Sequence, residues 1–199
     1  MIPFILFKYQ KRYIEECENN KLNIANKFRQ GGFSTIAAIW GLWKCMFSLD
    51  QSILFLNRTD REAVCNGKIV EKSLDQLPNW LKPKMGKNNH HHKSFTETDS
   101  KLIFSTIESC VGYSLTNLII DEAAFIEKME IYWESLQPYI STVANCMIIS
   151  THNVDNNWFK KTLNNAETKE NNFNIIKLNY LDHPEYNNLE WKNMAINNL

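Results

Sequence analysis

The chain has 199 residues, and its 22 Lys and Arg balance its 22 Asp and Glu, so the formal net charge is zero. Hydrophobic residues make up 44% and aromatic residues 12%, which is enough apolar surface to offset the entropy lost on folding and excludes a wholly disordered chain. The neutral balance also excludes a module that binds nucleic acid through bulk positive charge, so any such contact must come from a local basic patch. The length suits a single domain over 1–199.

The cysteines and the apolar segments indicate an intracellular protein. The five cysteines are Cys17, Cys45, Cys65, Cys110 and Cys146, and no two are spaced as Cys-x-x-Cys. This scatter argues against a disulfide framework and against a zinc site. The apolar runs around Cys45, Cys65 and Cys146 predict buried free thiols. The apolar N-terminus lacks the features of a signal peptide, and no run is long enough to cross a bilayer.

Apolar runs of strand length alternate with segments of helical periodicity along the chain. Strands are predicted at 22–28, 52–57, 115–120, 146–150 and 173–178. Helices are predicted at 34–47, from 59 or 60 to about 77, at 129–136 and at 187–196. The polar stretch 82–93 predicts a surface loop, and 94–107 a hairpin that turns at Asp99-Ser100. Apolar strands alternating with helices predict the α/β class, with a largely parallel central sheet flanked by helices on both faces.

The loop between the first predicted strand and the next helix has the composition of a phosphate-binding loop. Its residues are Lys27, Phe28, Arg29, Gln30, Gly31, Gly32, Phe33, Ser34 and Thr35. In such a loop the backbone N–H groups and the helix N-terminus bind phosphates, and Gly31 and Gly32 allow a tight turn close to the anion. Ser34 occupies the place of the hydroxyl that ligates Mg²⁺ in GxxxxGK[ST], but Phe33 replaces the lysine. Lys27 and Arg29 are nearby cations that could contact phosphates instead, and an ordinary strand-to-helix turn remains the alternative for this loop alone.

Two adjacent carboxylates, Asp121 and Glu122, end the apolar strand that begins near Leu115. In P-loop ATPases the first carboxylate holds the Mg²⁺ shell and the second activates the attacking water. The carboxyl ends of parallel strands lie at the edge of the sheet where ligands bind. A strand followed by an acidic first turn of a helix is the alternative, but the pair follows the glycine-rich loop by about ninety residues. The conjunction favours a nucleotide site.

Two shorter motifs fit the same site. Ser150 and Thr151 end another buried strand, where hydroxyl groups could sense the γ-phosphate and relay its loss, although capping of the next loop is the simpler interpretation. Near the N-terminus, before the first helix, Gln10 could present its amide to the adenine edge while Tyr9 or Phe7 packs nearby. An isolated Gln is a weak signal.

Taken in order, these motifs resemble the ATPase domain of the large terminase subunit of tailed bacteriophages. The resemblance is carried by Tyr9-Gln10, by 29–35, by Leu118-Ile-Ile-Asp-Glu-Ala-Ala-Phe125 and by Ser150-Thr151, and it extends over essentially the whole chain. It implies a RecA-like P-loop ATPase that hydrolyses ATP with Mg²⁺ and drives double-stranded viral DNA into a procapsid. The implied partners are the portal protein and the terminase small subunit, with subunits forming a ring when assembled and a monomer in isolation. The implied location is the host cytoplasm, transiently at the procapsid portal.

The resemblance also implies a role for each motif residue. The implied nucleotide-binding residues are Tyr9, Gln10, Lys27, Arg29, Gln30, Gly31, Gly32, Phe33, Ser34 and Thr35. Asp121 and Ser34 would hold Mg²⁺, partly through water, and Glu122 would be the catalytic carboxylate. Arg29 would contact phosphates within the same subunit, and Ser150-Thr151 would be the coupling motif.

Two departures from the family pattern leave questions open. The Walker A lysine is missing at Phe33, and some terminases carry it at the start of the loop, which here is Lys27. Val111-Gly112 stands where many relatives have Arg-Gly.

The family normally continues into a nuclease domain, which is expected to be absent here, so we expect no DNA cleavage by this chain. The alternative functions are a helicase-like or DNA-repair P-loop ATPase, or a nucleotide-binding regulatory module with little turnover.

Three consecutive histidines, 90–92, raise the possibility of a metal site, but neighbouring residues in one loop rarely form a closed tetrahedral site. A surface loop that faces DNA or a neighbouring subunit is the preferred interpretation. The lysines of its basic patch are Lys82, Lys84, Lys87 and Lys93. Asp182, His183 and Glu185 are interpreted as a surface turn rather than as metal ligands.

Overall fold

The computed structural model describes residues 5–109, 114–142, 145–151 and 157–188. Its helices are α1 (Lys8–Asn19), α2 (Phe33–Phe47), α3 (Asp60–Asp75), α4 (Met129–Thr142) and α5 (Trp158–Glu167). Its strands are β1 (Leu22–Lys27), β2 (Ser52–Asn57), β3 (Met85–Asn88), β4 (His92–Phe95), β5 (Ser100–Thr106), β6 (Asn117–Asp121), β7 (Asn145–Thr151) and β8 (Asn174–Lys177). Short 3-10 turns lie at Asn79–Leu81, Ile107–Ser109, Ala123–Phe125 and Tyr180–Asp182.

All eight strands form one sheet in the order β3-β4-β5-β2-β6-β7-β1-β8. The pairings from β5 through β8 are parallel, and β3 and β4 add an antiparallel edge. The strand β7 lies between β1, which leads into the glycine-rich loop, and β6, which ends in the acidic pair. Because all three are parallel, their carboxyl ends meet at one edge of the sheet.

The sheet is covered on both faces, and alternate residues of β2 show how. Ile53 and Phe55 face the cluster that includes buried residues of α1, α2 and α3, whereas Leu54 and Leu56 face the cluster that includes those of α4 and α5. All four are fully buried, as expected for a central parallel strand. The predicted α/β class, with a largely parallel sheet and helices on both faces, is confirmed.

The predicted loop at 82–93 is wrong in part. Residues of this stretch form β3 and begin β4, and β4 pairs antiparallel with β5, so the predicted hairpin at 94–107 is confirmed and extended by one strand. These strands are short and polar, and their order comes from pairing with β5 rather than from an apolar pattern of their own. Lys93 also departs from the predicted basic patch, because it is fully buried and its Nζ donates to Asn88 Oδ1 at 2.8 Å.

The helix predicted at 129–136 continues to Thr142 with Pro138 inside it. Proline removes one backbone hydrogen bond and clashes with the preceding turn, which is why a stop near this position was expected. Leu136 and Ile140, on either side of it, are both buried, so packing against the sheet carries the helix through. The helix predicted at 187–196 lies almost entirely outside the described residues.

Other side chains lie where the sequence did not place them. Cys65 is exposed on α3, whereas Cys45 and Cys146 are buried as predicted, and Cys110 lies outside the described residues. His183 is buried rather than at the surface, because its ring stacks on Tyr186 with centroids 4.0 Å apart.

No helix in the described part of the chain is both long and apolar enough to span a membrane.

Candidate functional site

The glycine-rich loop opens a cavity at the carboxyl edge of the sheet, with a volume of about 450 Å³. β1 ends at Lys27, the loop follows, and α2 begins at Phe33, so the predicted arrangement of strand, loop and helix is confirmed. The cavity lining consists of Lys27, Phe28, Arg29, Gln30, Gly31, Gly32, Phe33, Ser34, Thr35, Arg58, Glu62, Glu122, Phe125 and Thr151. Every residue of the predicted loop therefore borders one space.

The turn of the loop requires both glycines. Gly32 has φ of 74° at the N-cap of α2, a left-handed conformation that side chains disfavour, and Gln30 has φ of 61°. At Gly31 a Cβ would collide with the ring of Phe33 and lie 2.9 Å from that of Phe28. Gly31 thus lets two aromatic rings approach the loop backbone from beneath.

Phe33 is a core residue although it borders the loop. Its side chain is only 2% exposed, and its ring lies 5.5 Å from Tyr9, 5.6 Å from Tyr13 and 5.5 Å from Phe28, centroid to centroid. Such aromatic pairs contribute packing and quadrupole interactions. The residue at the usual lysine position therefore anchors the loop to the core and directs no charge into the cavity.

Introducing the consensus lysine with Phe33→Lys is expected to destabilise the fold by more than about 3 kcal/mol, because it places an ammonium among buried aromatic rings. Urea unfolding would measure the change in the free energy of unfolding. Phe33→Leu is the matched control, since it removes the ring while keeping the site apolar, and its loss is expected to be smaller. A Phe33→Lys variant as stable as the parent, with tighter ATP binding, would show that the position can serve the nucleotide.

Tyr9 and Gln10 both support the loop from α1. The Tyr9 hydroxyl donates to the Gly31 carbonyl at 3.1 Å, and Gln10 Nε2 donates to the same oxygen at 3.0 Å. The other end of the Gln10 amide accepts the Phe7 N–H at 2.9 Å. Both residues lie within the first turn of α1, not before it, and are buried. Burial first, with smaller contributions from Tyr186 and Glu185, raises the pKa of Tyr9 to about 12, so the hydroxyl stays a donor at neutral pH. The adenine contact of Gln10 stays a prediction.

Lys27 brings the loop and the acidic pair together. Its Nζ lies 3.1 Å from Asp121 Oδ1, 3.1 Å from Glu122 Oε1 and 3.5 Å from Ser34 Oγ. The side chains of Lys27 and Asp121 are 7% and 8% exposed. Burial by itself lowers the pKa of the Lys27 ammonium, but the charges of Asp121 and Glu122 outweigh it, and the pKa is raised above its ordinary 10.5. The Lys27 side chain is therefore positively charged at neutral pH.

Glu122 is held in an unusual backbone conformation at the end of β6. Its φ is 52°, a left-handed value that costs a non-glycine residue strain and that recurs at functional sites. Its N–H donates to Asp121 Oδ1 at 3.0 Å. Its Oε2 lies 3.5 Å from the hydroxyls of Ser150 and Thr151, at the long end of hydrogen bonding. The carboxylate thus lines the cavity with one oxygen paired to Lys27 and the other held only by long contacts.

Ser150 and Thr151 lie at the carboxyl end of β7, between the strand of the loop and the strand of the acidic pair. Both are buried, and Ser150 Oγ also accepts the Ala124 N–H at 3.1 Å. The predicted coupling residues therefore contact the predicted catalytic carboxylate and the short turn that follows it. This arrangement connects the cavity to the backbone after β6.

The site has the donors that Mg²⁺ prefers. Ser34 Oγ and the Asp121 carboxylate are hard oxygen ligands, and the Lys27 ammonium contacts both, so a positive charge already lies between them. Ser34 and Asp121 therefore have the ligand chemistry of a magnesium site. The described residues contain no cluster of three or more His, Cys, Asp or Glu able to hold a metal, which leaves the three histidines without such a site. His91 Nε2 instead lies 2.7 Å from Asp60 Oδ1.

Sequence reasoning missed three residues that line the cavity, namely Arg58, Glu62 and Phe125. Arg58 directly follows β2, the strand that pairs with β6, so its position at the end of an apolar run was the available signal. Of the predicted site residues, Tyr9, Gln10, Asp121 and Ser150 lie behind the lining. Val111-Gly112 lies outside the described residues.

Solved structures of known proteins share this architecture. No protein-family model matches the chain. Among solved structures, the large terminase ATPase domain of Thermus phage P74-26 is 16% identical with a TM-score of 0.78, over 98% of this chain and 89% of that one. The large terminase of bacteriophage HK97 is 14% identical with a TM-score of 0.76, over 90% of this chain and 40% of that one. The chain has the fold of a phage large-terminase ATPase domain. The RecA-like P-loop fold predicted from the sequence is therefore confirmed.

A third terminase structure of this fold contains a nucleotide. A large terminase from a thermophilic bacteriophage, in complex with ATP-γ-S, is 12% identical with a TM-score of 0.69, over 96% of this chain and 49% of that one. The terminase fold thus accommodates a nucleotide in that protein. The present chain spans about half the length of that terminase.

Proposed function

We propose that the protein is an ATPase that powers the translocation of double-stranded viral DNA into a procapsid, as the ATPase part of a large terminase. The observation that carries the proposal is the meeting of Lys27, Asp121 and Glu122 beneath a glycine-rich loop at the carboxyl edge of the sheet. The terminase fold supports it. Cation, metal-binding acid and general base are the parts that phosphoryl transfer needs.

The phosphates of ATP would bind on the loop 29–35, where backbone N–H groups and the N-terminus of α2 favour anions. Arg29 is exposed on the same loop and would contact them within the subunit. Lys27 would exchange its carboxylate partners for phosphate oxygens, which supplies the charge that Phe33 does not. Ser34 and Asp121 would hold Mg²⁺, which when bound neutralises phosphate charge.

Glu122 would accept a proton from the attacking water. Its Oε1 is paired with Lys27 at 3.1 Å, whereas its Oε2 makes only 3.5 Å contacts with Ser150 and Thr151, so Oε2 is the oxygen that would accept the proton. Loss of the γ-phosphate would change those same contacts. The ends of β7 and β6 would then pass the change to the rest of the domain.

The edge hairpin, formed by β3 and β4, and the residues just before it would offer a surface for DNA. No acidic residue occurs between Asp75 and Glu97, whereas Lys82, Lys84 and Lys87 of that stretch are exposed. Of these three, Lys84 lies 3.5 Å from Glu97 Oε1. Trp80, 83% exposed, adjoins them. A local patch of this kind is what a neutral chain requires to contact phosphates.

Lys82→Glu combined with Lys87→Glu is expected to weaken binding to double-stranded DNA about tenfold at low salt and to flatten its salt dependence. Fluorescence anisotropy with a labelled duplex at several salt concentrations would measure both. The matched control is Lys160→Glu with Lys161→Glu on α5, which covers the other face of the sheet. If both double variants lost the same DNA affinity, the effect would come from the overall charge of the protein and not from the hairpin. If Lys82→Glu with Lys87→Glu lost no affinity, the hairpin would not be part of the DNA-binding surface.

The proposed function is tested by Mg²⁺-dependent phosphate release together with portal-dependent packaging into procapsids. Packaging without strand displacement would support a terminase motor, and strand displacement without packaging would favour the helicase-like alternative. A chain that binds ATP without any phosphate release, even when assembled on a portal, would fit a regulatory module. The portal protein, the terminase small subunit, the ring of subunits and the location at the portal in the host cytoplasm belong to this proposal.

A further inference from the structure

Arg58 lies at the same level of the sheet edge as the proposed general base. β2 and β6 are parallel neighbours with Leu56 opposite Ile120. Arg58 and Glu122 each follow two residues later, and both line the cavity. The arginine therefore forms the wall of the cavity beside Glu122.

Glu62 orients the Arg58 side chain. Arg58 Nη2 donates to Glu62 Oε1 at 2.8 Å. The other carboxylate oxygen of Glu62 accepts the Thr59 N–H at 3.1 Å, and the Glu62 N–H donates to Thr59 Oγ1 at 3.3 Å. This capping box fixes Glu62 on the first turn of α3. The guanidinium is thus held at the cavity by a carboxylate that is itself held by the helix, with further N–H donors left for a ligand.

The charges of the site favour a second cation on this wall. Lys27 faces two carboxylates, so the trio of Lys27, Asp121 and Glu122 carries one net negative charge. A nucleoside triphosphate adds more negative charge. Arg29 lies on the loop after β1, and β7 and β6 separate β1 from β2. At about 4.8 Å per strand, the ends of β1 and β2 are about 14 Å apart, so Arg58 would meet only the far end of a phosphate chain that is bound on the loop.

We propose that Arg58 binds the terminal phosphate of ATP in its own subunit and that Glu62 is its positioning residue. This inference rests on the proposed function, since it takes the nucleotide to lie on the loop 29–35. Arginine donates planar, charge-assisted hydrogen bonds that suit phosphate oxygens. Because ADP lacks the terminal phosphate, the contact distinguishes ATP from ADP and stabilises charge that develops during transfer.

The test measures the dissociation constants of ATP-γ-S and ADP for the full chain by calorimetry. Arg58→Ala is expected to weaken ATP-γ-S about tenfold, or about 1.4 kcal/mol, while ADP changes less than twofold. Arg58→Lys is expected to fall between, because it keeps the charge without the planar donors. Glu62→Gln keeps a side chain that can cap the helix and is expected to give a weaker loss of the same selectivity.

Arg61→Ala is the matched control, because Arg61 is an exposed arginine on the first turn of α3 that does not line the cavity. An Arg58→Ala variant that keeps the parent ratio of ATP-γ-S to ADP affinity would overturn the inference. A parent chain that binds neither nucleotide would instead overturn the proposed function. A mixture of Arg58→Ala chains and Glu122→Gln chains tests whether the arginine acts in its own subunit or in a neighbouring one. Recovery of turnover in the mixed assemblies would place the arginine in the neighbouring site and contradict the proposal.

Discussion

Replacing Glu122 by Gln is expected to abolish ATP hydrolysis while leaving nucleotide affinity within about twofold. The amide keeps the size of the side chain but cannot take a proton, and general-base catalysis contributes about 10²–10⁴ in rate. Phosphate release measured beside the ATP-γ-S dissociation constant would separate chemistry from binding. The left-handed backbone at Glu122 is unaffected by the change, so the fold is expected to persist.

Glu127→Gln is the control for this experiment, because Glu127 is an exposed carboxylate close in sequence that does not line the cavity. It is expected to keep the parent rate. If Glu122→Gln also kept full turnover, Glu122 would not be the general base, and the assignment of the carboxylate after β6 would fail.

Replacing Lys27 by Ala is expected to weaken both the fold and the nucleotide site. Asp121, 8% exposed at its side chain, would lose its cation, and breaking such a buried pair costs about 3–5 kcal/mol. ATP affinity is expected to fall at least tenfold, since the loop offers no lysine at Phe33. Urea unfolding and nucleotide titration would measure the two effects, and Asp121→Asn with Lys27→Ala would give their coupling energy.

The pH dependence of this loss has a defined sign. The folded pKa of Lys27 is raised above 10.5, so its contribution to stability is complete below pH 10.5 and is lost as pH rises through the raised value. The stability gap between parent and variant is therefore expected to be flat from neutral pH to about pH 10. Arg29→Ala is the comparison variant: if it destroyed ATP binding and turnover while Lys27→Ala left both unchanged, Lys27 would not replace the missing lysine.

The strands that carry their own apolar pattern were predictable from the sequence. β2 was predicted at its observed bounds, and β1 and β7 within a residue or so, because burial on both faces requires near-continuous apolar runs. β3 and the start of β4 were not, since His92 and Lys93 belong to a polar stretch and are ordered by pairing with β5. Pairing between distant segments leaves no periodic signal in either one.

The site was predictable where its residues form contiguous motifs. The loop after β1 and the pair Asp121-Glu122 could be found by composition and by their place at strand ends. The burial of Phe33 could not, because it depends on rings from α1 that approach the loop only in the fold. Arg58 was missed for the opposite reason: it belongs to no motif and acquires its place from the pairing of β2 with β6.

The most direct test of the account is a structure of the protein with ATP-γ-S and Mg²⁺. We expect the phosphates on the loop 29–35, Lys27 Nζ turned from Glu122 to a phosphate oxygen, and the ring of Phe33 still buried against Tyr9 and Tyr13. A structure in which the nucleotide binds elsewhere, or in which Lys27 keeps both carboxylates while the phosphates bind without it, would contradict the account.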